Sequence, residues 1–267
     1  MPPAPTKELG TQGIQAVGRA FRILELLAFS EHGLSLSDIA RTLDVNKQIA
    51  WKLLQTLEDL GYIYKRPSSE QIVLSYRLAN LGHRKLVQED VLDQAYPTLV
   101  ELSEMSGELV RLAIEENNKL LWVKAELGKK WMLNINPNYA PAIQLHTTAS
   151  GKAWLANKSR DFVKNSLGDG PLLRRTEYTI TDRNEYYKEL DHVRENGWAI
   201  SWEESELGIG VVAAAIIVEG FDGTTRCVGT ISLSAPTQRM DRKALKSWGP
   251  IILETCRRLA LKWPQML

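Results

Sequence analysis

Four serines and one helix start hold the most suggestive chemistry of the 267-residue chain. Ser232 and Ser234 stand two apart in TISLSAP, so on an extended strand both hydroxyls face the same side. Ser150 lies in ASGKAWL, where the backbone N–H groups of a helix N-terminus would favour a carboxylate, and Ser201 lies in WAISW. Together with Ala149, these small and hydroxylated residues describe a pocket for a small organic anion. The same spacing is also compatible with hydroxyls that merely face solvent.

A second chemistry sits in LSLSDIARTLDVNKQIAWKLLQTLEDLGYIYKR (34–66). On a helix starting after Asn46, Lys47, Gln48, Trp51, Lys52 and Gln55 share a face of cations, amides and an indole. Amides pair with adenine edges, and cations with guanine or phosphate. Lys65 and Arg66 in a basic turn, with Ser35 and Ser37 at the head of the preceding helix, complete a candidate DNA-binding set.

Catalytic constellations are not found. Ser150-Gly151-Lys152-Ala153 superficially resembles a phosphate loop, but the loop needs Gly where His146 stands and Ser or Thr where Ala153 stands. There is no G-x-S-x-G, S-x-x-K or H-E-x-x-H. The histidines at 32, 83, 146 and 192 lack metal-ligand spacing, and Glu203, Glu204 and Glu206 read as a solvated turn after a strand. Cys227 and Cys256 form no CxxC pair, which argues against a zinc ribbon or disulfide scaffold and suits a reducing cytosol. The reading is a non-enzyme with no cofactor or metal.

The elements that must position these residues follow from periodicity. Residues 1–13, rich in proline and glycine, read as a flexible arm. A first helix buries Val17, Ala20, Ile23, Leu24 and Leu27, keeps Arg19 and Arg22 outside and ends at His32-Gly33. Ser35 and Asp38 have capping-box spacing, Asn46 caps the next helix, and Gly61 stops it. That helix is expected to bury Ile49, Leu53, Leu57 and Leu60. A basic ribbon over 62–74 follows, giving a winged helix-turn-helix. The run 76–87 reads as a connector helix through Leu78, Leu81 and Leu86.

Beyond about residue 89 helices and strands mix. A helix over 91–105 precedes a hairpin, 109–115 and 120–126, turning at Asn117-Asn118. A further strand is expected at 132–136, closed by Pro137 and Pro141. Helices follow at 149–155 and 183–196, strands at 198–202, 211–218 and 227–234 (the last two joined at Asp222-Gly223), and a closing helix at 242–261. The class is α+β, with five or six strands and flanking helices.

Length allows one or two domains, and composition is that of ordinary soluble globular protein: 44% apolar, 24% charged and net charge +1. Residues 1–75 carry eight Lys/Arg and eight Asp/Glu, so DNA binding must rest on charge placement. No run reaches membrane-spanning length and the N-terminus lacks a signal core, which reads as a cytoplasmic protein without membrane contact.

The segments AVGRAFRILELLA, LSLSDIARTLDV and KLLQTLEDLGYI, then LHTTASGKAWLA, ENGWAISWEESELGIGVVAAAI and TISLSAP, in this order, resemble the IclR family of bacterial transcription regulators over nearly the whole chain. The resemblance implies a winged helix-turn-helix domain (14–75), a linker helix (76–88) and a GAF-like effector-binding domain (89–267). It implies a homodimer or homotetramer on a double-stranded DNA operator, switched by a small-molecule effector. Carried over by position, the effector residues are Ala149, Ser150, Ser201, Ile209, Val211, Ser232 and Ser234.

The chain departs from the pattern at Gln48, Lys52 and Ser75, where family members usually have Ser or Thr, Arg, and Gly. Ser201 and Val211 replace the Asp and Cys of members that bind glyoxylate-like acids. With Trp122, Trp131 and Trp202 nearby, the expected ligand is a bulkier, aromatic carboxylate. The alternative is a metabolite sensor acting through protein contacts, or an enzyme with an unrecognised site.

Overall fold

The structure, a computed structural model, describes residues 14–87, 90–136, 143–220 and 223–263. The arm at 1–13, the boundary at 88–89, the closing prolines 137 and 141 and Asp222 fall outside the described residues. The chain divides into two compact units, Met1–Glu89 and Asp90–Leu267.

The first unit contains α1 (Gln15–Ala28), α2 (Leu36–Thr42), α3 (Lys47–Asp59), β1 (Ile63–Lys65), β2 (Ile72–Leu74) and α4 (Tyr76–Val87). Ser35 caps α2: its Oγ accepts the Asp38 N–H at 3.2 Å and donates to the Asp38 carboxylate at 2.6 Å. Asn46 caps α3 by accepting the Ile49 N–H at 2.8 Å. β1 and β2 pair antiparallel, and Leu34 bridges to Ile72. Ile23, Leu24, Leu27, Ile39, Leu43, Leu54, Leu57, Ile63 and Ile72 form the core.

Several expectations in this unit are corrected. α3 buries Ala50, Leu54 and Leu57, while Ile49 and Leu60 are exposed and Leu53 is half-buried. The helix is rotated by about one residue, because Ala50 can be fully enclosed where a larger side chain would hold neighbouring elements apart. Val17 is exposed and Ala20 only half-buried. α1 stops at Ala28, ahead of His32-Gly33. Gly33 instead serves the ribbon: its φ is +83°, and a Cβ there would lie 2.5 Å from the Ile72 carbonyl oxygen. Along α4, Leu78 and Leu81 are exposed, so the expected apolar face is not buried within this unit.

The second unit contains α5 (Asp90–Ser106), β3 (Leu109–Glu116), β4 (Lys119–Leu127), α6 (Ala149–Leu155), α7 (Arg160–Leu167), α8 (Arg183–Asn196), β5 (Trp198–Trp202), β6 (Ile209–Glu219), β7 (Thr225–Pro236) and α9 (Arg242–Lys262). Five strands form one antiparallel sheet in the order β4-β3-β7-β6-β5. Asn117 and Asn118, at φ 51° and 58°, make the tight β3–β4 turn.

The sheet separates two cores. Ile231, Leu233 and Ala235 of β7 and Val212, Ala214 and Ile216 of β6 pack with α5 and α9. Ala213 and Ala215 of β6 pack with α6 and α8 on the other face. Residues 132–136 are loop rather than strand; Met132 and Leu133 lie in solvent, where an unpaired strand would have no ladder. Helix α7, which periodicity did not suggest, starts at a Ser159 cap. Among the described residues no helix is long and apolar enough to cross a membrane.

Candidate functional site

In the second unit, the alternation of β7 decides which side chains meet the helix start. Since Ile231, Leu233 and Ala235 take one face, Thr230, Ser232 and Ser234 take the other, beneath α6. In register, Ser232 lies opposite Arg111 on β3 and Ala213 on β6, and Ser234 lies opposite Val211. Above them α6 begins at Thr148, whose Oγ1 accepts the Gly151 N–H at 3.1 Å and donates to the Gln144 carbonyl at 2.8 Å. Gly151 permits this approach, because a Cβ there would sit 2.3 Å from the Leu145 carbonyl oxygen. The SGKA segment thus answers a packing demand.

These elements enclose a cavity of about 130 Å³. Ser150, Ile209, Val211, Ser232 and Ser234 line it, joined by Arg111, Trp122, Thr148 and Arg175. Ser150 and Ser232 are each only 1% exposed, and neither hydroxyl has a hydrogen-bond partner. Buried hydroxyls without partners are costly and uncommon, so two on one cavity wall point to a ligand's polar atoms. The Arg111 guanidinium lies 5.5 Å from the Trp122 ring centroid and donates to the Asn136 carbonyl at 3.4 Å. Burial draws its pKa below the ordinary arginine range, the mark of a desolvated cation.

Two of the expected effector residues do not line this cavity. Ala149 is fully buried among α6, α8 and the sheet. Ser201 donates to the Thr147 carbonyl at 2.6 Å, so its hydroxyl is spent on holding the turn before α6. Ser205 donates to the same carbonyl at 2.9 Å. Of the three tryptophans, only Trp122 lines the cavity; Trp131 packs under Arg239 and Lys130, and Trp202 under Arg242. Arg111, which the spacing of the serines does not reveal, carries a sequence signal of its own: it is the one charge in the apolar start of LVRLAIEE.

The SGKA lysine points away from this chemistry. Lys152 is 1% exposed and its Nζ donates to Glu204 at 2.5 Å, the Ile200 carbonyl at 3.2 Å and Glu189 at 3.3 Å. Glu204, read as part of a solvated turn, is therefore buried and paired. Burial raises its carboxyl pKa, and Lys152 opposes that. Among the described residues no group of His, Cys, Asp and Glu is arranged to hold a metal ion.

In the first unit Lys47, Gln48, Trp51, Lys52 and Gln55 are all exposed on α3, with Trp51 54% exposed. Gln55 donates to Asp59 at 3.0 Å, which orients its amide. Ser37 is exposed, whereas the Ser35 hydroxyl is committed to its cap. Lys65 pairs with Glu70 at 2.6 Å across the ribbon turn, and Arg66 is half-buried beside it.

Comparison with known proteins covers both units. Residues 16–67 match the IclR helix-turn-helix domain, and residues 83–261 match the C-terminal domain of the bacterial transcriptional regulator IclR. The transcriptional regulator KdgR of Escherichia coli is 27% identical over 247 residues, 92% of each chain. The solved IclR transcriptional regulator from Alicyclobacillus acidocaldarius is similar at TM-score 0.79 and 24% identity, over 93% of this chain and 98% of that one. An IclR homologue from Microbacterium hydrocarbonoxydans, solved with 4-hydroxybenzoate, is similar at TM-score 0.71 and 18% identity, over 92% and 99%.

Proposed function

Since the chain belongs to the IclR family of transcriptional regulators, with a helix-turn-helix DNA-binding domain and a C-terminal effector domain, we propose that its effector is an aromatic carboxylate held in the cavity beneath α6. The observation that carries this reading is the pair of partnerless buried hydroxyls, Ser150 and Ser232, in a cavity that also contains Arg111. About 130 Å³ suits one benzene-sized ring. Val211, Ile209 and Trp122 supply apolar walls, Arg111 a bidentate partner for the carboxylate, and the serines donors for its remaining lone pairs. The Microbacterium homologue with 4-hydroxybenzoate supports the ligand class by analogy of fold.

On the DNA side, Lys47, Gln48, Trp51, Lys52 and Gln55 read the major groove, and Lys65, Arg66 and Ser37 meet phosphates. A homodimer or tetramer presents two such helices to a near-palindromic operator. The effector switches operator affinity only by binding the two dimer geometries unequally.

The test is thermal unfolding of the full chain with 4-hydroxybenzoate and with glyoxylate. The aromatic acid raises the Tm more, and Arg111→Met abolishes that rise while leaving the ligand-free Tm within a few degrees. A larger shift from glyoxylate, or an unaltered response in R111M, overturns the assignment.

A further inference from the structure

We propose that the groove between α8, β5 and the start of α9 is a second ligand site, for a small organic ammonium ion with an apolar body. The groove measures about 490 Å³, and its lining includes Glu189, Trp198, Ile200, Trp202, Glu204 and Arg242. The Glu204 side chain is only 8% exposed. Its Oε1 accepts from Lys152 Nζ at 2.5 Å and the Trp202 backbone N–H also stabilises the carboxylate, while Oε2 is buried with no donor at hydrogen-bond geometry. A carboxylate oxygen withdrawn from water without a donor is costly, and a ligand N–H is the group it lacks.

Carboxylates reach the groove from two elements: Glu189, 29% exposed, stands 3.3 Å from the same lysine nitrogen, and Glu185 joins the lining, so three carboxylates balance Lys152, Arg242 and Lys246. The aromatic walls suit a cation's body, and one is already so used. The Arg242 guanidinium lies 5.4 Å from the Trp202 ring centroid. Arg242 is the first residue of α9, where the helix dipole disfavours positive charge, yet it stacks there. It acts as the groove's own stand-in for a bound cation. An ammonium on Glu204 and Glu189, with its body across Trp198 and Trp202, satisfies the orphaned oxygen and the aromatic faces together.

The test is thermal unfolding of the full chain with 2-phenylethylamine and with its neutral isostere 2-phenylethanol, at neutral pH. The amine raises the Tm with concentration and the alcohol does not. Arg242→Ala clears the Trp202 face and tightens amine binding about fivefold. Glu189→Gln, a partly exposed change, weakens it by a similar factor, and Arg111→Met leaves it unchanged because that residue belongs to the other cavity. Equal responses to amine and alcohol, no amine response in wild type and R242A, or weaker binding in R242A would each overturn the proposal.

Discussion

His146 is a residue whose burial sets a pH response. It stands just before α6 with its Nε2 2.8 Å from the Leu173 carbonyl oxygen, and burial, the dominant cause, lowers its pKa from the ordinary imidazole value. The unfolded chain therefore binds this proton more readily than the folded one. The stability that the neutral ring contributes is present above about pH 6.5 and is lost as the pH falls through the depressed folded value. Tm measured from pH 7.5 down to 5 should fall, and His146→Gln, whose amide can still donate to Leu173, should flatten the part of that slope near pH 6. An identical slope in both proteins would assign the acid sensitivity to other groups.

At the same scale, single residues explain what sequence reasoning found of the cavity and what it lost. Ser232 and Ser234 were legible because period-two alternation is local. Ser201 was not, because its fate depends on Thr147, a residue 54 positions away. Gln144 and Arg175 reach the wall from loops, where no periodicity marks direction.

Among elements, the caps were read correctly because a cap is a contract between residues three apart. Ser35 with Asp38 and Asn46 with Ile49 are of this kind. Replacing Asn46 with Ala should cost about 1 kcal/mol of first-unit stability, measured by urea unfolding, since the first-turn N–H groups of α3 lose their acceptor. No loss would mean that solvent replaces the side chain at no penalty. The buried stripe of α3 was misread for the opposite reason. Ile49 and Leu60 are more apolar than Ala50, and only the packing of α3 against α1, α2 and β1 reveals that the small residue is the one enclosed. The strand expected at 132–136 failed for another reason: Asn134 and Asn136 disfavour extended pairing, and Met132 and Leu133 find solvent rather than a core face to pack on.

For the whole molecule, bulk charge says little: 33 basic against 32 acidic residues leave a net +1, and DNA affinity must come from exposed cations in the right places. Lys47→Ala and Lys52→Ala, tested by fluorescence anisotropy on operator DNA over a salt series, should each weaken binding and lower the slope of log K against log salt by about 1. A slope that does not change would remove that lysine from the phosphate contacts. Gln48→Ala should instead cost about 1–3 kcal/mol at one base pair and little on scrambled DNA.

The two-faced β7 has a consequence for how such a regulator changes over generations. One row of its side chains (Ile231, Leu233 and Ala235) holds α5 and α9, while the other row (Thr230, Ser232 and Ser234) looks under α6. Substitutions in the second row alter what the cavity welcomes without disturbing the first. With the effector held where we propose, ligand preference and structural integrity are written in alternate letters of one strand, and a lineage can try new chemical signals there while the rest of the domain stays folded.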